Sequence, residues 1–119
     1  MGITNVEVTV ANIEKPKKSL SGDFMVDTGA GFTVIPYSMS KKLDLKPTKT
    51  QKFTLADGTV VERDLSHAMI EINGDRAPST VVIGKRGDSA LVGAITLENM
   101  GLMVDPFKRK LRPMRLMLG

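Results

Sequence analysis

The sequence of 119 residues contains no cysteine and no tryptophan, and it has one histidine and one tyrosine. Without cysteine the chain can form neither a disulfide framework nor a thiolate metal site, and this composition fits a reducing compartment. The single histidine, His67, cannot supply the ligand set of a typical zinc site. We therefore expect no metal and no cofactor. The shortage of aromatic side chains also leaves few platforms on which single-stranded nucleic acid could stack.

Long apolar runs are absent as well. No stretch approaches the roughly 18 apolar residues that a membrane-spanning helix needs, and the opening residues MGITNVEVTV lack the basic start and apolar run of a secretory signal. We therefore expect a cytoplasmic protein that does not associate with membranes. The length suits one domain, residues 1–119, which is large enough to bury a core without cross-links.

The formal net charge is +4, and much of the excess positive charge lies near the C-terminus. Such a cluster could contact nucleic acid or another acidic partner. It is more typical of a solvated turn and of an edge strand that charges protect from aggregation. We favour the second interpretation and do not expect nucleic acid as a partner. The basic residues concerned are Lys108, Arg109, Lys110, Arg112 and Arg115.

Short strands separated by turn signals predict a mainly β protein. Apolar and polar residues alternate over residues 4–10, which is the period of a half-buried strand. Asp57-Gly58 and Asn73-Gly74 each lie between β-rich flanks and predict two hairpins. A third hairpin is predicted around Asp105-Pro106. Strands at this regular spacing suggest a barrel or a sandwich.

Two short helices interrupt the β pattern. The segment YSMSKKLDL predicts a helix of about two turns with Ser38 as its N-cap. The segment ITLENMG predicts a second helix that ends at Gly101. Each helix follows an apolar strand, and there is a faint similarity between MVDTGA before the first and ALVGA before the second.

An isolated acidic residue, Asp27, lies within the stretch MVDTGAGF. In an ordinary turn, an aspartate in this setting accepts hydrogen bonds from the backbone of the following residues. Here, however, apolar segments lie on both sides, FMV before the acid and FTVIP after the glycines. The carboxylate is therefore expected at the edge of the core. The sequence offers no competing catalytic arrangement, since it lacks cysteine and a recognisable serine elbow.

The stretch VDTGAGFTVIP resembles the active-site loop of the retropepsin-like aspartic proteases, whose signature is Asp-Thr-Gly-Ala followed by an apolar strand. Residues 70–105 resemble the second half of that family, and FTLADGTVVERD falls where the family has its flap hairpin. The resemblance covers roughly residues 5 to 106. It implies a closed β-barrel with one or two short helices, built from two related halves.

The same resemblance implies the chemistry. The chain has one Asp-Thr-Gly motif, whereas a pepsin-type enzyme has two, so a homodimer with one Asp27 from each subunit is expected. One carboxylate would activate a water molecule and the other would protonate the substrate. By resemblance, Thr28 braces the two loops, and Gly29 and Ala30 leave room for the partner and the substrate.

The flap tip is expected to comprise Ala56, Asp57, Gly58 and Thr59, and to close over an extended peptide or unfolded protein. A binding module of the same fold that does not cleave peptides is the alternative function. The dimer interface is expected to include TNVEVTV or LRPMRLML, and strand alternation would place Met114, Leu116 and Leu118 on one face of the latter.

Overall fold

The computed structural model describes residues 3–119. Nine strands and two helices form within this range, so the prediction of a mainly β protein with two short helices is confirmed. In chain order they are β1 (Thr4–Ala11), β2 (Ser19–Val26), β3 (Thr33–Ile35), α1 (Tyr37–Lys42), β4 (Lys49–Thr54), β5 (Val60–Ile72), β6 (Asp75–Ile83), β7 (Leu91–Val92), α2 (Ala94–Met100), β8 (Leu102–Asp105) and β9 (Lys110–Pro113).

Seven of the strands form one sheet in the order β1-β2-β7-β3-β6-β5-β4. An additional pairing joins β1 to β5, so six strands close into a ring and β4 extends beyond it. Valine, isoleucine and phenylalanine side chains fill the ring, as expected for half-buried strands. The largest fully buried side chains include Phe24, Ile35, Leu43, Ile70 and Ile72.

The hairpins lie where the turn signals predicted them. Gly58 and Gly74 have φ of 88° and 85°, values that favour glycine, and they lie in the turns between β4 and β5 and between β5 and β6. The third hairpin joins β8 to β9 in a separate two-stranded sheet. These turns are local in sequence, which is why the dipeptides are sufficient to predict them.

The helix positions are confirmed, but one predicted cap is wrong. Helix α2 ends at Gly101 in a left-handed conformation, as predicted. Helix α1 begins at Tyr37 after Pro36 and has no side-chain cap, so Ser38 lies inside its first turn. The proline fixes φ at −54° and leads the chain directly into the helix, two residues earlier than a serine cap at position 38 requires. No helix among residues 3–119 is long and apolar enough to cross a membrane.

The predicted strand at the C-terminus is also shorter than expected. Strand β9 stops at Pro113, and residues 114–119 form no strand. The Met114 N–H instead donates to the Gly101 carbonyl at 2.7 Å, and the Leu116 side chain lies against Gly101. Met114 is therefore half-buried, while Leu116 and Leu118 are 69% and 104% exposed. Alternation alone favours a strand, but no neighbouring strand takes up its hydrogen bonds within the described chain.

Candidate active site

Asp27 is the first residue after β2, and neighbouring β7 fixes its position. The two strands run parallel, with Met25 opposite Leu91 and Val26 opposite Val92. The Asp27 N–H continues this pairing by donating to the Val92 carbonyl at 2.9 Å. The Asp27 backbone is therefore held at the end of β2, level with Gly93 in the register of the two strands.

The residues after Asp27 turn back onto it. The Gly29 N–H donates to Asp27 Oδ1 at 2.9 Å, and the Ala30 N–H donates to the Asp27 carbonyl at 3.1 Å. A Cβ at position 29 would lie 3.2 Å from Asp27 Oδ1, which is a tight contact, so glycine leaves space for the carboxylate. Asp27 and Ala30 are half-buried, whereas Thr28 and Gly29 are exposed. The Thr28 side chain is accordingly accessible to another chain.

The same loop caps helix α2, which has no side-chain cap of its own. The first N–H groups of the helix donate to loop carbonyls: Ala94 to Ala30 at 2.8 Å and Ile95 to Gly31 at 2.9 Å. These bonds satisfy donors that a helix N-terminus otherwise leaves unpaired. They also attach the acid-bearing loop to the first turn of the helix.

Gly93 makes this close approach feasible. A Cβ at position 93 would lie 2.5 Å from the Phe32 carbonyl carbon and oxygen and 2.9 Å from the Gly31 carbonyl oxygen. Side chains are thus excluded at the position beside Asp27. The second half of the chain cannot place an acid there without displacing the loop of the first half.

A buried polar cluster beneath the loop was not predicted from the sequence. Thr33 and Thr96 have no exposed surface, and their hydroxyls hydrogen-bond to each other. The Gly93 N–H donates to Thr33 Oγ1 at 3.0 Å, and Ser79 Oγ lies 2.9 Å from Thr96 Oγ1. The only sequence signal was a threonine inside the apolar stretches FTVI and AITL. The cluster joins β3, β6 and α2 under the acid loop.

The predicted flap residues form the tip of the β4–β5 hairpin. Leu55 and Thr59 pair across the turn at 2.7 Å, and Ala56, Asp57, Gly58 and Thr59 are all exposed. The Thr59 backbone N–H, 2.9 Å from Asp57 Oδ1, holds the pKa of Asp57 below its ordinary value. The Asp57 carboxylate therefore stabilises the hairpin turn.

Two hollows flank the acid loop. An apolar groove of about 780 Å³ reaches Asp27 and Thr28 from the side of β8 and α2. A smaller cavity of about 330 Å³ lies between the loop and the base of the flap hairpin. Gly29 and Ala30 line the smaller cavity, together with hairpin residues 53–55, but the hairpin tip does not. The structure thus brings the loop close to the flap base and leaves the tip free.

The apolar residues of the second half divide between core and site. Val92 has no exposed surface and belongs to the core, whereas Leu91 lines the smaller cavity.

His67 is exposed on β5, 3.4 Å from the Thr80 hydroxyl. Among residues 3–119, no group of three or more histidine, cysteine or acidic side chains is placed to hold a metal ion.

Comparison with protein families agrees with this geometry. A family model described as aspartyl protease matches residues 6–95, which include the acid loop, the flap hairpin and β7. No curated protein matches the chain. The match spans most of the sequence and contains the Asp-Thr-Gly motif at Asp27, so the chain belongs to the retropepsin-like aspartyl protease family.

Proposed function

We propose that the protein is a homodimeric aspartic endopeptidase whose catalytic pair is Asp27 from each of two copies. One observation carries the proposal: the position beside Asp27 is Gly93, where a Cβ would lie 2.5 Å from the Phe32 backbone. The second half therefore cannot supply the second acid at this position, and a partner copy is the simplest source. We take residues 1–119 as one domain and the ring of strands as the closed barrel of this family.

The apolar groove beside Asp27 supports the dimer. Its lining includes Met25, Val26, Leu97 and Val104, and it opens next to Thr28. A second copy that brings its own Asp27 to the first would cover this groove, since both lie on the same face. Ile3 and Met103, 65% and 36% exposed, lie on the lining and would be buried in the same contact.

The chemistry follows from the pairing of two carboxylates. Two acids held close together cannot both ionise, so the pair shares one proton. The ionised Asp27 accepts a proton from a water molecule, which attacks the scissile carbonyl, and the protonated Asp27 hydrogen-bonds the carbonyl oxygen. Gly29 N–H anchors one carboxylate oxygen in each subunit at 2.9 Å. Thr28 would brace the two loops, and the flap tip Ala56–Thr59 would cover an extended peptide.

The first test is cleavage of an unfolded protein and of a peptide library, with and without a pepstatin-like inhibitor. Asp27→Asn should lower the cleavage rate by at least about a thousandfold, because neither subunit then has an acid. Asp23→Asn, an exposed acid on β2, is the matched control and should cleave at the wild-type rate. Cleavage by Asp27→Asn at a rate near wild type would refute the proposal, whereas peptide binding without cleavage by the wild type would favour the binding module.

The second test is dilution. Specific activity should fall as the protein is diluted through the Kd of the dimer, because a monomer holds half a site. Mass measured by analytical ultracentrifugation over the same series should fall with it. The variant Leu116→Ser/Met117→Ser/Leu118→Ser should raise the Kd if the exposed tail packs on the partner, while Phe107→Ser, 95% exposed on the β8–β9 turn, should not. A fully active monomer would exclude a site shared between subunits.

A further inference from the structure

The flap hairpin extends beyond the strand that supports its base. Strand β5 pairs with β6 only as far as Asp64, which lies opposite Ile83. Residues 60–63 of β5 pair with β4 alone. The residue after β6, Gly84, donates its N–H to the Ile35 carbonyl at 2.8 Å, so this segment turns away towards β3. The hairpin therefore leaves the ring of strands at Asp64.

Arg63 is the first residue beyond that point, and its side chain reaches the loop between β6 and β7. Arg63 Nε and Nη2 donate to Asp88 Oδ2 and Oδ1 at 2.7 and 3.0 Å, and Nη1 donates to the Glu62 carbonyl at 2.8 Å. The Lys85 N–H donates to Asp88 Oδ2 at 2.8 Å. The Arg63 and Asp88 side chains are 17% and 26% exposed, so solvent screens their attraction only in part. Bidentate pairing of this kind fixes the position of both groups.

The ion pair joins the hairpin to the segment that leads into β7. Asp88 lies three residues before this strand, which pairs with β2. The Val92 carbonyl of β7 accepts the Asp27 N–H at 2.9 Å. Among residues 3–119, no other ion pair links the hairpin residues 49–63 to the rest of the molecule. One charged contact thus connects the flap hairpin to the strand that positions the acid.

The remaining contacts of the hairpin do not fix its direction in the same way. The tip, Ala56 to Thr59, is exposed, and its hydrogen bonds in the described chain stay within the hairpin. The Phe53 and Phe32 rings meet edge to face with centroids 5.7 Å apart, but apolar packing is far less directional than a bidentate ion pair. The direction of the hairpin therefore depends on Arg63 and Asp88.

We propose that Arg63 and Asp88 are positioning residues whose ion pair holds the flap hairpin over the Asp27 loop, ready to cover a bound peptide. This inference rests on the proposed endopeptidase function. The Arg63 guanidinium holds the pKa of Asp88 below its usual range, so the carboxylate is charged at neutral pH. Binding costs less when the covering element is already in place. Loss of the pair should therefore weaken substrate binding more than it slows the chemical step.

The first test separates KM from kcat at protein concentrations well above the Kd of the dimer. Arg63→Gln and Asp88→Asn should each raise KM by roughly fivefold or more, while kcat stays within about twofold of the wild type. Because both substitutions act through one pair, the double variant should be no worse than the more impaired single variant. Arg76→Gln is the matched control, since it breaks a more exposed pair with Glu71, at 3.6 Å, and should leave both constants unchanged. Effects that multiply in the double variant, or an unchanged KM in both single variants, would overturn the proposal and leave the protease function intact.

The second test needs no cleavage, so it distinguishes this proposal from the proposed function. Amide hydrogen exchange is followed by NMR in Asp27→Asn protein, with and without Asp88→Asn or Arg63→Gln. Exchange over residues 50–62 should become roughly fivefold faster in both charge variants, while exchange in the β8–β9 hairpin should stay within about twofold. This result would support the anchoring even if the wild type cleaved nothing. Equal acceleration in the two hairpins would mean that the pair stabilises only the fold as a whole, and either that result or unchanged exchange over residues 50–62 would overturn the proposal.

Discussion

The loop after β2 and the loop after β7 lie side by side, yet they present opposite chemistry. The first places Asp27 half-exposed with Thr28 and Gly29 at the surface, while the second places Gly93 in the buried interior. Both follow parallel strands with the register Val26 to Val92. One half of the molecule thus carries the acid, and the other half holds the acid-bearing loop in place.

The largest effect is expected at Gly93. Gly93→Ala places a methyl group 2.5 Å from the Phe32 backbone, which cannot move without breaking the Ala94 and Ile95 hydrogen bonds to the loop. We expect the free energy of unfolding, measured with urea, to fall by about 3 kcal/mol or more, as for severe overpacking.

Gly31→Ala is the matched control, because a Cβ at position 31 meets nothing within 4 Å. Its unfolding free energy should stay within about 0.5 kcal/mol of the wild type. Equal stabilities for the Gly93→Ala and Gly31→Ala variants would show that position 93 tolerates a side chain.

Thr33→Val should cause the next largest loss of stability, because it removes the hydrogen bonds that join β3 to Gly93 and to helix α2. The substitution keeps the shape but removes the acceptor of the Gly93 N–H and one partner of the Thr96 hydroxyl. Leaving a buried donor unpaired costs about 1–3 kcal/mol, which chemical unfolding measures directly. Thr9→Val removes a hydroxyl pair with Ser21 that is exposed, and it should change stability far less. A similar loss in both variants would refute a special role for the buried cluster.

The local parts of this arrangement could be predicted from sequence, and the long-range parts could not. Asp57-Gly58, Asn73-Gly74 and Gly101 determine turns and a helix end through their own backbone preferences. The register of β2 on β7 joins residues far apart in the chain, and no local pattern encodes it. The expected strand over LRPMRLML, residues 111–118, forms only as far as Pro113 for the same reason: an alternating sequence becomes a strand only where a partner strand is available.

The residues of the candidate site also fall into a local group that the sequence indicates and a long-range group that it does not. The motif at Asp27 is contiguous and indicated the loop directly, whereas the pairing of Arg63 with Asp88 spans 25 residues of sequence. Thr33 and Thr96 carry no signal beyond being polar within apolar stretches. The support of the acid could therefore be seen only once the fold had placed β7 and α2 under the loop.

A smaller and pH-dependent effect is expected for Asp88→Asn, which loosens the segment that leads into β7. Arg63, as a hydrogen-bond donor, lowers the pKa of Asp88 in the folded protein. A lowered folded pKa means that the carboxylate stabilises the fold above the unfolded value near 4 and that this contribution is lost as pH falls through the folded value. Asp88→Asn should thus lower stability by about 1 kcal/mol at pH 7.

The pH series provides the check on that assignment. The difference between the wild type and Asp88→Asn should shrink as the pH falls below about 4 and approach zero once Asp88 is protonated. Thermal unfolding of both proteins across pH 2–7 measures it. A difference that stays constant over this range would mean that the carboxylate charge does not stabilise the segment.

The smallest effect on stability is expected where the effect on activity is largest, at Asp27. In the Asp27→Asn variant the asparagine amide still offers an oxygen to the Gly29 N–H, the side chain is half-exposed, and its volume hardly changes. The unfolding free energy of the monomer should therefore stay within about 0.5 kcal/mol of the wild type. In the proposed dimer, where the substitution would remove two adjacent acids, it should hold or rise. Asp27→Leu removes the acceptor as well, so it should cost about 1 kcal/mol, and urea unfolding of both variants separates the charge from the hydrogen bond. A large loss of stability in Asp27→Asn would mean that the Asp27 carboxylate itself stabilises the fold. The proposal that the loop after β2 provides the reactive acid while the segment after β7 provides structural support would then be wrong.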